Sequence, residues 1–183
     1  MSTEELIHDI KKELRAGMNG ILSAKMREAG MPYKLIFGVE LPRLQSIADV
    51  FPKNAELANQ LWSQNIRETK LLAIMLMPPD AFTPAVANAW ADKIQTPEEA
   101  QVMAKYLLQK VGRAKEICIA WLQDEKPLPT ICACLCLRHI LANNTSLNAE
   151  ERQIIKEHTN KILPTANLHL RKAILALFCI SEF

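Results

Sequence analysis

Apolar residues near the start of the chain recur with the spacing of an α-helix. Leu6, Ile10 and Leu14 fall on one stripe when the residues advance by about 100° each. Ser2 precedes them, with Glu5 three residues later, which is the pattern of a capping box. We therefore predict a helix from the first residues to about residue 15.

Similar start signals mark helices along the rest of the sequence. Thr96, Pro97 and Glu99 supply an N-cap, a proline at the first helical position and a glutamate at N3. Asn148 followed by Glu151 repeats the pattern further on. The chain has only 5 glycines, fewer than a sheet with many tight turns would need. These features predict an all-α protein.

From residue 55 onward the helices form repeated pairs, each with a helix, a turn and a more apolar second helix. Alanines recur 31, 29 and 40 residues apart in the middle of the second helices, and a tryptophan ends each of the first three first helices. The residues are Ala73, Ala104, Ala133 and Ala173, with Trp62, Trp90 and Trp121. Small residues at one position let neighbouring helices approach closely, and we interpret the tryptophans as core.

This repeat predicts an α-α superhelix, a solenoid of HEAT-like helical repeats, because one such pair cannot bury its apolar face alone. We predict a single domain over residues 1–183, with N-terminal capping helices at 1–30 and stacked helical pairs at 41–183. A helical bundle in which the spacing is accidental is the alternative.

Composition places the chain among ordinary globular proteins. Its 183 residues are 49% apolar and 23% charged, which excludes disorder, collagen and coiled coil. The longest apolar runs have seven residues, whereas a membrane span needs about twenty. The first residues lack the basic start and apolar stretch of a secretory signal. We expect a cytoplasmic, monomeric protein without a membrane partner.

Residues for catalysis or metal binding are scarce. The four histidines are scattered, and the acidic pairs at 4–5, 98–99 and 150–151 all lie in the first turn of a predicted helix, where capping explains them. Cys132 and Cys136 share a helix face while Cys134 points away, so three ligands do not converge from this segment. We interpret the cysteines as reduced core residues and expect no metal and no cofactor.

Basic residues on the second helices are the clearest candidates for binding. The formal net charge is only +2, so their placement matters more than their number. On one face they would follow a phosphate backbone by neutralising its charge, although ordinary solvated helix surfaces would look the same. The basic residues on the predicted second helices are Arg67, Lys70, Lys105, Lys110, Arg138, Arg171 and Lys172. Of these, the candidates for contact with nucleic acid are Lys70, Lys105, Lys110, Arg171 and Lys172.

One stretch, residues 33–77, resembles the start of the DNA alkylation repair family of HEAT-like proteins, of the AlkD type. The resemblance rests on an aromatic-Gly-Val at 37–39, a Pro-x-Leu at 42–44, a Leu-Trp at 61–62, Glu68 and Leu-Leu-Ala at 71–73. Residues 171–174, Arg-Lys-Ala-Ile, are similar to the family's Lys-Ala-Ile near its last helices.

The resemblance implies a glycosylase that removes alkylated purines such as 3-methyladenine and 7-methylguanine, using an aspartate to stabilise the cationic sugar. The family's Trp-Asp-x-x-Asp stretch matches residues 97–101, where Pro97 replaces the Trp and Gln101 replaces the catalytic Asp. Glu98 or Glu99 would have to supply the carboxylate by a shift of register. The phosphate-binding Trp-Arg signature is likewise replaced at residues 128–131, and Ala176 and Cys179 replace a third signature.

We therefore predict a scaffold that binds the backbone of duplex DNA through a basic concave face and has lost base excision. Two alternatives stay open. One is an active glycosylase that uses Glu98 or Glu99, and the other is a scaffold for a protein partner.

Overall fold

The computed structural model describes residues 2–143 and 145–180, and in these ranges the chain is helical, with an isolated parallel bridge between Leu35 and Ile66 and no β-strand. The predicted all-α class is confirmed. The ends of the predicted domain, residues 1 and 183, lie outside the described ranges. The α-helices are α1 Thr3–Ala16, α2 Gly20–Glu28, α3 Leu41–Val50, α4 Ala55–Trp62, α5 Arg67–Leu76, α6 Pro84–Ala91, α7 Pro97–Tyr106, α8 Ala114–Gln123, α9 Pro127–Ala142, α10 Ala149–Ile162 and α11 Leu168–Phe178.

Local sequence signals start three of the helices as predicted. Ser2 and Glu5 form a reciprocal capping box on α1, Asn148 and Glu151 form another on α10, and Thr96 caps α7. For α9 the sequence predicts a start after Pro129, but the helix begins at Pro127. Both prolines fall in the first turn, where a backbone N–H has no partner within the helix and its loss costs nothing.

The chain forms two compact units, Met1–Ala81 and Phe82–Phe183. In the first unit, α5 packs against α3 and α4, and α1 packs against α4. All ten residues of α5 are buried, including its charged ones. The prediction of one domain over the whole chain stays a prediction.

In the second unit, α9 packs against α8 and against both α7 and α11, and α10 packs against α8. The second helices of the predicted pairs are therefore neighbours. Ala104, Ala133 and Ala173, one on each of these helices, are buried, as the repeat predicts. Trp90 and Trp121 are also buried, each 3% exposed, which confirms that they are core residues.

No helix within the described ranges has both the length and the apolar character to cross a bilayer.

Candidate nucleic-acid interface

A buried carboxylate at the start of α5 holds the loop that precedes α3. Oε1 of Glu68 accepts hydrogen bonds from the backbone N–H of Gly38 at 2.9 Å and of Val39 at 3.3 Å, and Oε2 accepts one from Phe37 at 3.0 Å. Nη1 of Arg67 lies 2.9 Å from Oε1 and also donates to the carbonyl of Val39. Three backbone donors and a guanidinium thus surround one carboxylate, which compensates its burial.

Gly38 is required by the same arrangement. Its φ is +77°, and a Cβ there would lie 2.3 Å from the carbonyl oxygen of Asn19 and 2.7 Å from the backbone nitrogen of Ser23. The hydroxyl of Ser23 donates to the carbonyl of Ile36 at 2.6 Å. The aromatic-Gly-Val and the glutamate that carry the family resemblance are therefore contact partners with a structural role.

The start of α7 holds the residues at which the resemblance places catalysis. Glu99 is fully buried, its backbone N–H bonds to Oγ1 of Thr96, and its carboxylate accepts from the backbone N–H of Gln95 at 2.8 Å. Glu98 is half-buried in the same first turn, and Gln101 is exposed one turn later. Glu99 therefore caps the start of α7, and the exposed side chain one turn later is the amide of Gln101.

The start of α9 also presents little chemistry. Thr130 is fully buried, and its hydroxyl donates to the carbonyl of Lys126 at 2.7 Å. Leu128 is half-buried and Pro129 buried. At these positions, where the resemblance implies a phosphate-binding signature, Thr130 therefore bonds within its own helix and is not available to a phosphate.

The five predicted nucleic-acid contacts differ in exposure. Lys105 on α7, Arg171 and Lys172 on α11, and Lys110 in the 3₁₀ turn Leu108–Lys110 are exposed. Lys70 on α5 is only 4% exposed, and its Nζ lies 4.3 Å from the centre of the Trp62 ring. A phosphate contact by Lys70 stays a prediction, and it requires this side chain to leave Trp62.

Electrostatics connect α7 with α9. Desolvation by burial lowers the pKa of His139, and the charges of Arg138 and Lys105 lower it further. Arg138 and Lys105 are exposed, and the helices that carry them pack together. Two exposed cations from adjacent second helices therefore act on one imidazole. The sequence identifies both Lys105 and Arg138 as basic residues of second helices, but their proximity follows only from the packing of α9 on α7.

Four cysteines lie in the core of the second unit. Cys118 on α8 and Cys132, Cys134 and Cys136 on α9 are free thiols and fully buried. Burial raises the pKa of the Cys118 and Cys132 thiols, and it raises the pKa of Cys134 to about 12. The four buried side chains pack as small apolar groups. In the described part of the chain, no three His, Cys, Asp or Glu side chains are grouped to hold a metal ion.

Sequence reasoning did not identify the Arg67–Glu68 pair as a buried site. Arg67 was grouped with the basic residues of the second helices, but its side chain is 3% exposed and paired. A signal existed, because Arg67 and Glu68 lie one helical turn before the continuous apolar run at residues 71–77, and a helix that is apolar on all sides is buried on all sides.

Comparison with known proteins adds the family and the fold. Residues 10–174 match the model of a family described as DNA alkylation repair enzyme. A solved structure is similar with a TM-score of 0.76 and 18% identity, over 97% of this chain and 74% of that one. It represents a new family of proteins related to the HEAT-like repeat DNA glycosylases with affinity for branched DNA structures. No curated protein matches the chain. The structural likeness confirms the predicted fold of HEAT-like helical repeats.

Proposed function

Because the chain belongs to the DNA alkylation repair enzyme family, we propose that it binds the DNA backbone through the exposed cations of α7, α9 and α11. The observation that carries this proposal is that Lys105 on α7 and Arg138 on α9 are both exposed on helices that pack together. In agreement with this packing, both charges lower the pKa of His139. Arg171 and Lys172 add two exposed cations on α11, which packs against α9.

Such a surface binds phosphates by charge. Each Lys or Arg that neutralises a phosphate releases condensed counterions, so affinity falls as the salt concentration rises. Contacts of this kind position a protein on DNA without reading the base sequence. We therefore propose recognition of backbone and shape with little sequence preference, with Lys110, exposed in the 3₁₀ turn Leu108–Lys110, as a further contact.

Branched DNA is the second substrate form to test. The similar solved structure comes from proteins with affinity for branched DNA structures. A junction presents several phosphate backbones at angles to one another, and a surface built from exposed cations on neighbouring helices would contact more than one of them. We propose that this chain binds a four-way junction at least as tightly as a duplex of the same length.

We further propose that the protein does not excise bases. A glycosylase of this kind needs a carboxylate beside the sugar as positive charge develops there. By the sequence resemblance, Gln101 stands where the family has its aspartate, and a neutral amide cannot balance that charge. Glu99 is buried in the cap of α7, which argues against its use as a substitute. A role in binding a protein partner stays a prediction, and the exposed side chains of Leu168 and Leu175 on α11 favour it.

The binding proposal is tested with fluorescently labelled duplex and junction DNA, by anisotropy at several salt concentrations. We expect a linear fall of log affinity with log salt, with a slope of about −0.9 for each phosphate neutralised. The variant Lys105→Gln, Arg138→Gln should weaken binding and reduce that slope by about 2. Lys161→Gln, an exposed lysine on α10, is the matched control. Binding that does not change with salt would contradict the proposal.

Excision is tested separately by incubating the protein with methylated duplex DNA and measuring released bases by chromatography. We expect no release above the rate without protein. If 3-methyladenine or 7-methylguanine is released, the proposal of lost excision is wrong. The variant Glu98→Gln, Glu99→Gln would then show whether either carboxylate carries the activity.

A further inference from the structure

An open cavity in the first unit lies far along the sequence from the cations of α7, α9 and α11. Its volume is about 540 Å³, within the range of small-molecule sites. It is lined by side chains from α1, from the loop before α3 and from the turn before α5. These residues are Lys11, Lys34, Leu35, Gln64, Asn65 and Ile66.

The charge of this cavity is of one sign. Lys11 and Lys34 come from two separate segments of the chain, and no carboxylate is among the described residues that line it. Two other cavities, both in the second unit, differ in this respect. One includes Glu116 and Glu151, and the other Asp92 and Asp124. The cavity of the first unit therefore favours an anion, whereas acidic groups offset the lysines of the other two.

The backbone that forms its wall is held in place by hydrogen bonds. The carbonyl of Asn65 accepts from the backbone N–H of Lys34 at 3.1 Å and of Leu35 at 3.3 Å. The carbonyl of Leu35 in turn accepts from the backbone N–H of Arg67 at 3.2 Å. The loop continues directly into the residues held by Glu68. The wall is thus preorganised, which lowers the entropic cost of binding a ligand.

The lining also offers apolar and amide groups beside the two ammonium groups. Leu35 is 41% exposed, a large fraction for a leucine whose backbone N–H and carbonyl are both hydrogen-bonded. Ile66 lines the cavity with it. The side chains of Gln64 and Asn65 supply amides that can donate and accept hydrogen bonds. A ligand that matches this set has an anionic end, an apolar surface and polar edges.

We infer that this cavity binds a nucleotide unit, with its phosphate between Lys11 and Lys34 and its sugar or base against Leu35 and Ile66. The phosphate can come from a free nucleotide or from the end of a DNA strand, and the chemistry of recognition is the same for both. The site goes beyond the proposed backbone-binding surface, since it uses other residues in the other unit.

The test is a titration of the full-length protein, labelled with ¹⁵N, with three probes: inorganic phosphate, dAMP and a short single-stranded oligonucleotide bearing a 5′-phosphate. We expect the backbone amide signals of residues 34, 35, 65 and 66 to shift with dAMP and to shift less with phosphate. A 5′-phosphorylated strand that binds more tightly than dAMP identifies a strand end as the ligand, and the reverse order identifies a free nucleotide.

The variant Lys11→Gln, Lys34→Gln should raise the dissociation constant for dAMP about tenfold, because charged hydrogen bonds are lost at the phosphate. Lys12→Gln removes a charge from an exposed neighbour on α1 that does not line the cavity. It should change the dissociation constant for dAMP by about twofold or less, since exposed charges are screened. Circular dichroism checks that each variant is folded.

Three results would overturn the inference. One is the absence of amide shifts at residues 34, 35, 65 and 66 with every probe. Another is an equal loss of affinity in the Lys12→Gln control, which would indicate diffuse charge attraction. The third is shifts confined to α7, α9 and α11. The backbone-binding proposal is tested by other variants, so either proposal can fail while the other stands.

Discussion

Replacing Glu68 by glutamine changes one charge and almost no volume at the centre of the first unit. The carboxylate accepts from three backbone N–H groups and pairs with Arg67 at 2.9 Å, and both side chains are almost completely buried. In the variant, the amide nitrogen must face at least one of these donors, because both carboxylate oxygens accept from N–H groups.

The expected cost follows from two contributions. Removing one partner of a buried ion pair leaves an uncompensated charge and costs about 3–5 kcal/mol. A backbone N–H that loses its acceptor costs about 1–3 kcal/mol. The contributions overlap, because Oε1 serves both Arg67 and the backbone, so we expect a total of about 4 kcal/mol in the free energy of unfolding.

Urea denaturation followed by circular dichroism measures this loss. With a slope of about 2 kcal/mol per molar urea, the midpoint of unfolding should fall by about 2 M. Glu13→Gln is the matched control, because Glu13 pairs with Arg43 at 3.0 Å with side chains 43% and 53% exposed. An exposed pair contributes about 1 kcal/mol at most, so its midpoint should move little.

The reasoning fails if the Glu68→Gln midpoint lies within the shift seen for Glu13→Gln. Burial and hydrogen bonding would then not determine the energy of this pair. The loop at residues 36–39 would in that case be held by its apolar packing, and Glu68 would be dispensable for the fold.

Three further predictions concern other parts of the chain. Gly38→Ala should destabilise the protein by about 2 kcal/mol or more, because the backbone is left-handed and the new Cβ would lie 2.3 Å from the carbonyl oxygen of Asn19. Gly30→Ala, which has the same φ of +77° but open space around the new Cβ, should cost about 1 kcal/mol, and thermal melts compare the two variants. The imidazole of His139 should titrate below its usual pKa of about 6.5, so as the pH falls through about 6.5 the unfolded chain binds the proton first and the folded protein becomes less stable. Lys105→Gln should raise the pKa of His139 measured by NMR, and an unchanged pKa would show that the charge of Lys105 does not act on this imidazole. Cys179, the exposed thiol, should react rapidly with a disulfide reagent while the four buried thiols react only after denaturation, and rapid labelling of more than one thiol would contradict their burial.

Helix positions were predictable because the signals that start a helix lie within a few residues of one another. Thr96 with Glu99 and Asn148 with Glu151 identify their helices from four letters each, and the structure has both caps. The repeat of alanines and tryptophans was equally visible, since each marks the same position in successive helices. The predicted start of α9, after Pro129, is two residues or more too late, because the first turn of a helix accommodates a proline and the helix begins at Pro127.

Function-bearing contacts were harder to predict because they join residues far apart in the sequence. Glu68 contacts the loop at residues 37–39 about thirty residues away, and a carboxylate in a sequence gives no sign of which donors will surround it. Lys70 was indistinguishable from Lys105 as a basic residue of a second helix. Burial against Trp62 separates them, because the first lies on a helix enclosed on all sides and the second on a helix with a solvent-facing side.

The sequence by itself determined the helical class, the repeated pairs and the family, because periodicity, capping and short motifs are local properties. Tertiary structure decided which charges are available to a ligand and which are structural. Arg67 and Glu68 pair with each other and with backbone groups inside the first unit. Lys105 and Arg138 are exposed, and the charges of both act on His139. The physical reason is that the free energy of a charged group depends on its solvent exposure and on partners brought by distant parts of the chain.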